Sequence, residues 1–498
     1  MELSSSYPRN LSYSIKELNN FSQQSFRVMT DHLSTQINAG EIFRVNLPAG
    51  STLLDLRTIA LHFNFTSTIS GGPISSSIHA PRYSSSLIER VNIYLNNNLI
   101  STINQYNLLY NTLGDLQFSR DALQKRWLEN IDPSINYALD TTLASGGCLK
   151  LQRNTTNGTL SDTNKPMIIN NWLGFLGGET STPVIDIASL GQITLEFQLA
   201  PATCCFISAT QSGGTAASGT PNYYINNVYL TGSKITFNSE EYYSLLASKL
   251  LDGGLIIGYK DYYTTKSPSY VKSGNPVFNY SINANSLDAI IVTPNISQYN
   301  TLGFLELFGS QSSTFNFHVD SASKSVYNGG TSNFTLEEAL SIQGYAYSSN
   351  YPLNQNPTGS GDLFNQTQYF QRNMVGLQSA QFFVNSIAVD LWNKAPDYIY
   401  EETLENLGLK NLDINCSLHT GCVSLAHWLK YYFAHIVRFN NISGDSQFYK
   451  SGMSANNSPI NITYQTNFDG STDSIYLVFF NCMTKLISVS AGRLITII

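Results

Sequence analysis

LIERVNIYLNNNLISTI, from Leu87 to Ile103, is the stretch that decides the fold class. Val91, Ile93 and Leu95 alternate with polar residues, the period of a strand with one buried face. Asn96-Asn97-Asn98 then marks a turn, since asparagine accepts the backbone angles of tight turns. Apolar residues return from Leu99 to Ile103, so Val91–Ile103 reads as a β-hairpin. Outward from it the same style recurs. Upstream lie EIFRVNL (Glu41–Leu47) and LLDLRTIALHFNF (Leu53–Phe65). Downstream, Gln192–Leu199, Asn227–Leu230 and Lys234–Phe237 read as strands. So do Leu255–Tyr259, Val277–Ile282, Ala289–Thr293, Phe382–Val389, Phe433–Phe439 and Ile460–Gln465. Ile475–Phe480 and Leu486–Ile498 close the sequence as two further β-rich runs.

Helical signals are few. Tyr106–Asn130 carries leucines and aromatics at three- and four-residue steps and stops before Pro133. Asn238–Leu251 opens on a capping box, Asn238 with Glu241, and ends at Gly253-Gly254. Thr335-Leu336-Glu337-Glu338 is a second capping box, with a short helix expected to Ser341. Leu425–His435 fits helix or strand. The Asn238–Gly254 segment divides the chain near its midpoint, with a similar number of β-rich elements on each side. Two all-β domains are therefore expected, over 36–250 with the connecting helix and over 251–498. Residues 1–35 mix Ser, Asn and Gln with isolated apolar residues and are expected to form an arm outside the first sandwich.

The chain has 498 residues and a formal net charge of −7, and only 12% of its residues are charged. An average soluble domain carries about 25%. With 42% hydrophobic and 12% aromatic residues, intrinsic disorder and coiled coils are excluded. No long Lys/Arg run is present, so nonspecific nucleic-acid binding by the whole chain is not expected. The N-terminal twenty residues lack an apolar core of signal-peptide type, and no stretch approaches 18 uninterrupted apolar residues. Six cysteines in such a chain favour reduced thiols. A surface made polar by Ser, Thr, Asn and Gln repels its neighbours weakly, which suits packing against copies of itself.

Catalytic signatures are missing: no P-loop, no H-E-x-x-H, no G-x-S-x-G and no H-x-H. Cys416, His419 and Cys422, with His427 and His435 downstream, are zinc-ligand types, but C-x2-H-x2-C matches no standard knuckle. Buried cysteines and a strand histidine are the expected reading. Cys204-Cys205 reads as two free thiols ending a strand. Asn467–Asp473 lacks the glutamate of a calcium loop and reads as a surface turn. Triplets such as Asn64-Phe-Thr66 and Asn441-Ile-Ser443 are expected by chance in a chain rich in these residues. Neither catalytic nor cofactor-binding nor metal-binding residues are assigned, and no cofactor is expected. The aromatic abundance fits sandwich cores and subunit contacts, with a sugar-stacking surface as the other option.

Several motifs, in order, carry a family resemblance. PAGSTLLDLR (Pro48–Arg57) with the strand Thr58–Phe65, and LIERVNIYLN (Leu87–Asn96) running through Leu99-Ile100 into NQYNLLYN (Asn104–Asn111), resemble the first jelly roll of virophage and Polinton-like virus major capsid proteins. Asn227–Phe237, then Glu241-Tyr242-Tyr243 and Gly253-Gly254, resemble the bridge between that family's two jelly rolls. Tyr476–Phe480 and Lys485–Ile498, with Ser490-Ala-Gly-Arg493, resemble its last two strands. The resemblance implies an all-β double jelly roll, two tandem β-sandwiches with a few short helices. It implies a structural major capsid protein rather than an enzyme, forming trimeric pseudo-hexameric capsomers of an icosahedral shell. The partners implied are two further copies, neighbouring capsomers, and penton and other minor capsid proteins, with the virion as location. An extracellular carbohydrate-binding β-sandwich is the alternative; a signal peptide and paired cysteines would favour it, and neither is seen.

Overall fold

The computed structural model describes the chain, with breaks of a few residues, over 21–117, 150–152, 165–209, 220–237, 244–296, 317–335, 370–407, 425–439, 452–467 and 474–497. Eight strand positions follow one another in the first unit. They are Phe21–Met29 continued by Gln36–Asn38, Ile42–Asn46, Leu53–Ser70, Ile88–Leu95, Asn98–Asn104, Lys165–Ile169 with Val184–Asp186, Ile193–Leu199 and Thr220–Phe237. The larger sheet orders them one, eight, three, six; the smaller orders them two, seven, four, five. Such crossed order, with antiparallel pairing throughout, is a jelly roll: apart from the hairpin of four and five, successive strands swap sheets, so the two faces close over one core.

The second unit repeats the plan. Its positions are Leu255–Lys266 with Tyr270–Val271, Ser273–Gly274 with Val277–Ile282, Leu287–Ile296, Leu377–Val384, Ile387–Ala388, His435–Arg438, Ser458–Asn467 and Ser474–Ser490. Again the larger sheet runs one, eight, three, six and the smaller two, seven, four, five. In both units a helix follows position five: Tyr106–Gln117 in the first and Pro396–Asn406 in the second. The chain is two tandem jelly-roll sandwiches.

Alternation explains the layers. Along Ile193–Leu199 the residues Ile193, Leu195, Phe197 and Leu199 are fully buried and face Leu54, Leu61, Phe63 and Phe65 across the first core. The opposite face carries Glu196, held by Arg44 and Asn92. Phe197 lies 5.3 Å from Phe43 and 5.4 Å from Trp172, whose indole N–H donates to Ile59 O. In the second core Phe278 packs edge-on to Tyr464 and 6.1 Å from Phe479. Each smaller sheet turns its edge hairpin through two residues at positive φ: Asn96 (46°) and Asn97 (66°), then Asn385 (55°) and Ser386 (63°). Two consecutive left-handed residues make the turn whose twist matches paired strands.

The structure corrects several expectations. Residues 21–29 are not part of an external arm: they form the first strand, in register from Phe21↔Phe237 to Met29↔Tyr229. Among the described side chains of that strand only Phe26 and Val28 are partly buried, so its apolar alternation is faint. Residues 1–20 lie outside the described residues. Asn227–Leu230 and Lys234–Phe237 belong to one strand, Thr220–Phe237, interrupted by register shifts at Asn226/Tyr229 and Thr231/Ser233. Asn227 has φ 51°, which breaks the alternation that sequence reading relies on. The helix from Tyr106 is described to Gln117, and residues 118–130 lie outside the described residues. In the connecting segment Ser244, Ala247, Ser248 and Leu251 are helical, and the rest is outside the described residues. Residues 336–341 are outside as well, while Thr335 ends a strand. Leu425–His435 holds both options: Leu425, Trp428 and Leu429 are helical and His435 begins a strand.

Candidate assembly interface: the seam between the two sandwiches

The fifth strand of the first unit, Asn98–Asn104, is the open edge of its smaller sheet. An open edge exposes backbone groups that must find partners or water. Here the first strand of the second unit supplies the partners. Tyr259 OH donates to Ile100 O at 2.7 Å, Thr264 Oγ1 donates to Asn104 O at 2.7 Å, and Ser101 Oγ bonds Asp261 Oδ1 at 2.6 Å. Asp261 also receives Lys485 Nζ from the strand beside it. A short backbone bridge, Thr180↔Tyr259 with Lys260 N–H donating to Glu179 O at 2.9 Å, ties a loop of the first unit to the same strand.

Gly174 lets the two backbones approach. Its φ is 69°, and an added Cβ would sit 3.1 Å from Lys260 O. Next to it Phe175 meets Tyr259 edge-on at 5.6 Å. Glu179 is enclosed there, accepting from Gly174 N–H at 3.1 Å and Tyr262 OH at 3.2 Å. Burial pushes its carboxyl above the ordinary carboxylate range; those two bonds and the nearby Lys260 only partly oppose the rise. Burial likewise raises the Tyr259 and Tyr262 hydroxyls and the Cys482 thiol. Most polar groups of the seam are paired, with Thr180 Oγ1 and Arg372 Nε left without a hydrogen-bond partner.

Its most enclosed element is an ion pair. Arg372, just before the fourth strand of the second unit, places Nη2 2.8 Å from Asp115 Oδ2 on the first unit's helix, and both side chains are 0% exposed. Tyr83 OH donates to the same carboxylate at 3.0 Å, Arg372 Nη1 reaches Asn111 Oδ1 at 3.3 Å, and Tyr432 lies under the guanidinium. A pair this deep adds little net stability, but removing one partner strands a charge. Its consequence is orientation: only one placement of the second sandwich satisfies Asp115.

The residues singled out by sequence fall differently. Cys416, His419, Cys422 and His427 lie outside the described residues. His435 is a buried strand residue, Nδ1 3.2 Å from Tyr464 OH and Nε2 3.5 Å from Glu402. Burial pushes the Glu402 carboxyl up, but His435 and Lys394 together overcome this and hold it below the usual range. Among the described residues no group of three or more His, Cys, Asp or Glu is placed to hold a metal. Cys204 and Cys205 are free and buried, their sulfurs 4.0 Å apart, in a short turn after the seventh strand. Asn64 sits within a long strand, and 468–473 lie outside the described residues. Among the described residues no helix is long and apolar enough to cross a membrane. Sequence reading missed Arg372 and Asp115 altogether; they stand 257 positions apart and carry no local signal.

No protein-family model matches the chain, and no curated protein matches it. Solved structures do. The Faustovirus major capsid protein superposes with a TM-score of 0.55 at 11% identity, over 98% of this chain and 93% of that one. A chain of the Sputnik virophage, solved by cryo-EM, gives 0.53 at 11% identity over 100% and 91%. PBCV-1 VP54, fitted into a reconstruction of Sputnik, gives 0.51 at 12% identity over 97% of each. At such identities the likeness is one of fold, and it runs the length of both chains: this protein has the double jelly-roll fold of those viral capsid proteins.

Proposed function

We propose that the chain is the structural subunit of an icosahedral viral shell, located in the virion and assembled as trimeric, pseudo-hexameric capsomers. The observation that carries this reading is the asymmetry of the seam. The fifth-strand edge and following helix of the first sandwich meet the first strand of the second sandwich. Contacts between unlike surfaces repeat until a ring closes. The second sandwich has its own fifth-strand edge and helix, and the first has its own first strand, so the same head-to-tail contact can continue between copies. Three chains then place six similar sandwiches around one axis, which lets a threefold object tile a hexagonal lattice. The low charge of the chain limits repulsion between such crowded subunits.

In this reading the protein has no catalytic role and needs no metal. Its partners are two copies of itself, neighbouring capsomers, and penton and other minor capsid proteins. Light scattering on the purified chain, with electron microscopy of the particles, tests the proposal. A stable trimer of hexagonal outline is expected; a dispersed monomer at micromolar concentration overturns it.

A further inference from the structure

Lys260 stands between two carboxyls, one from each sandwich. It lies on the first strand of the second unit, and its Nζ is 2.7 Å from Asp288 Oδ2 on the third strand and 2.7 Å from Thr484 Oγ1 on the eighth. Thr484 Oγ1 in turn donates to Asp288 Oδ2 at 2.7 Å. This triangle ties together three neighbouring strands of the larger sheet. Asp288 does not depend on the lysine alone, since Ser286 Oγ donates to its other oxygen at 3.1 Å. Tyr262 follows Lys260 by two residues, so both side chains leave the same face of the strand. There Tyr262 OH reaches the carboxyl of Glu179, from the first unit, while Lys260 N–H donates to the Glu179 backbone oxygen. Both donors to the Glu179 carboxyl, Gly174 N–H and Tyr262 OH, are neutral. The hydroxyls of Tyr106 and Tyr262 and the Cys482 thiol also surround it, all raised by burial and so uncharged near neutral pH. Arg57, which passes beside Gly178, is taken up by Asp55 at 2.9 Å. The cation whose charge reaches Glu179 is Lys260.

We infer that Lys260 is a latch shared by the two sandwiches: with a proton on Glu179 it bridges strands of the second unit through Asp288, and when that proton leaves it swings to Glu179 and bridges the seam instead. One cation cannot match two carboxylates in an enclosed site, so the proton decides which of them holds it. Asp288 keeps the Ser286 and Thr484 hydroxyls as donors in the second arrangement, which lets the lysine leave without stranding the carboxylate. Burial keeps the Glu179 proton in place above the ordinary carboxylate range. The bridge within the sheet is therefore the low-pH arrangement and the bridge across the seam the high-pH one. Because one arrangement binds the proton and the other does not, pH shifts the balance between them. Every group involved belongs to a single chain, so the latch does not depend on the state of assembly.

Hydrogen exchange read by mass spectrometry on the full-length chain, between about pH 4 and about pH 9, tests the latch. At each pH the wild type is compared with Glu179→Gln, which has no proton to lose there, so the chemical rate of exchange cancels. At the low end the two are expected to exchange alike. At the high end the wild-type amides around Asp288 and Thr484, whose N–H donates to Ser286 O, are expected to exchange about 10-fold faster, while those around Lys260 and Gly174 at the seam stay alike. Asp288→Asn hands the lysine to Glu179 and is expected to move the transition down by about one pH unit. It is read in the same way and keeps the test open should the glutamine variant misfold. Lys260→Met is expected to leave fast exchange around Thr484 at every pH, with no transition. A ratio indifferent to pH overturns the latch, as does a transition that Asp288→Asn leaves in place. Equal acceleration at the sheet and at the seam also overturns it, since a buried charge then merely loosens the fold.

Discussion

The first sandwich is finished by the second, whereas the second is left unfinished. Both have the same strand order, the same edge hairpin with two left-handed residues, and a helix after the fifth strand. Yet the first helix is buried from Tyr106 to Leu116 and its Asn111 and Asp115 are bonded across the seam, while in the second Tyr398, Glu401 and Glu405 are exposed. One fold thus carries two burial patterns, and the difference lies in what covers the edge rather than in the sandwich. Residues that look like a core violation in the first unit, such as Asp115, belong to an interface. In the second unit Trp392 stays 59% exposed, with no such cover inside the chain.

The comparison breaks most severely at the first strand. Removing residues 1–30 deletes Phe21–Met29 and bares the flank of Thr220–Phe237. That variant is expected to be insoluble or monomeric and poorly folded, whereas removing 1–20 should leave the trimer and its melting temperature nearly unchanged; calorimetry and light scattering on both decide it. Arg372→Met comes next. It leaves Asp115 buried and unpaired, and a loss of about 3–5 kcal/mol in denaturant unfolding is expected. Combining it with Asp115→Asn should return most of that loss.

Glu179 gives a smaller effect with a defined pH dependence. Its folded-state pKa lies above the unfolded one, so the folded protein binds more protons. The stability it contributes is complete below the unfolded pKa and is lost as pH rises through the raised folded value. Glu179→Gln keeps an acceptor for Gly174 N–H and Tyr262 OH and should flatten that fall. A gain on the order of 1 kcal/mol near neutral pH, shrinking toward pH 4, is expected from unfolding curves taken across pH. Smallest of all, Ser386→Gly should stabilise the second hairpin by roughly 0.5–1 kcal/mol, since serine there holds φ 63°. Parity with the wild type in chemical denaturation would show that the turn tolerates serine at no cost.

Legibility in the sequence followed locality. Ile42–Asn46, the Ile88–Asn104 hairpin and Ile193–Leu199 alternate cleanly because one face is core and the other polar. Phe21–Met29 was hidden because its neighbours shield backbone more than side chains. Pro396–Asn406 escaped notice because its buried stripe is only Ile399 and Thr403, too narrow to raise a helical period. Pro396 in its first turn and Asp397 beside it were the available signals. The seam was invisible for another reason. Arg372 and Asp115 meet only once both sandwiches exist, and no window along the chain contains both.

Strand order also sets a timetable for synthesis. In each unit the strand that lies between the first and the third in the larger sheet, Thr220–Phe237 or Ser474–Ser490, is the last of its eight to leave the ribosome. Leu255 waits for Val489 and Ile257 for Ile487, so more than two hundred intervening residues emerge before that ladder can close. A nascent second unit therefore remains without its central ladder until translation has passed Ser490. A chain cut short before that point would carry a second unit whose first and third strands lack the partner between them.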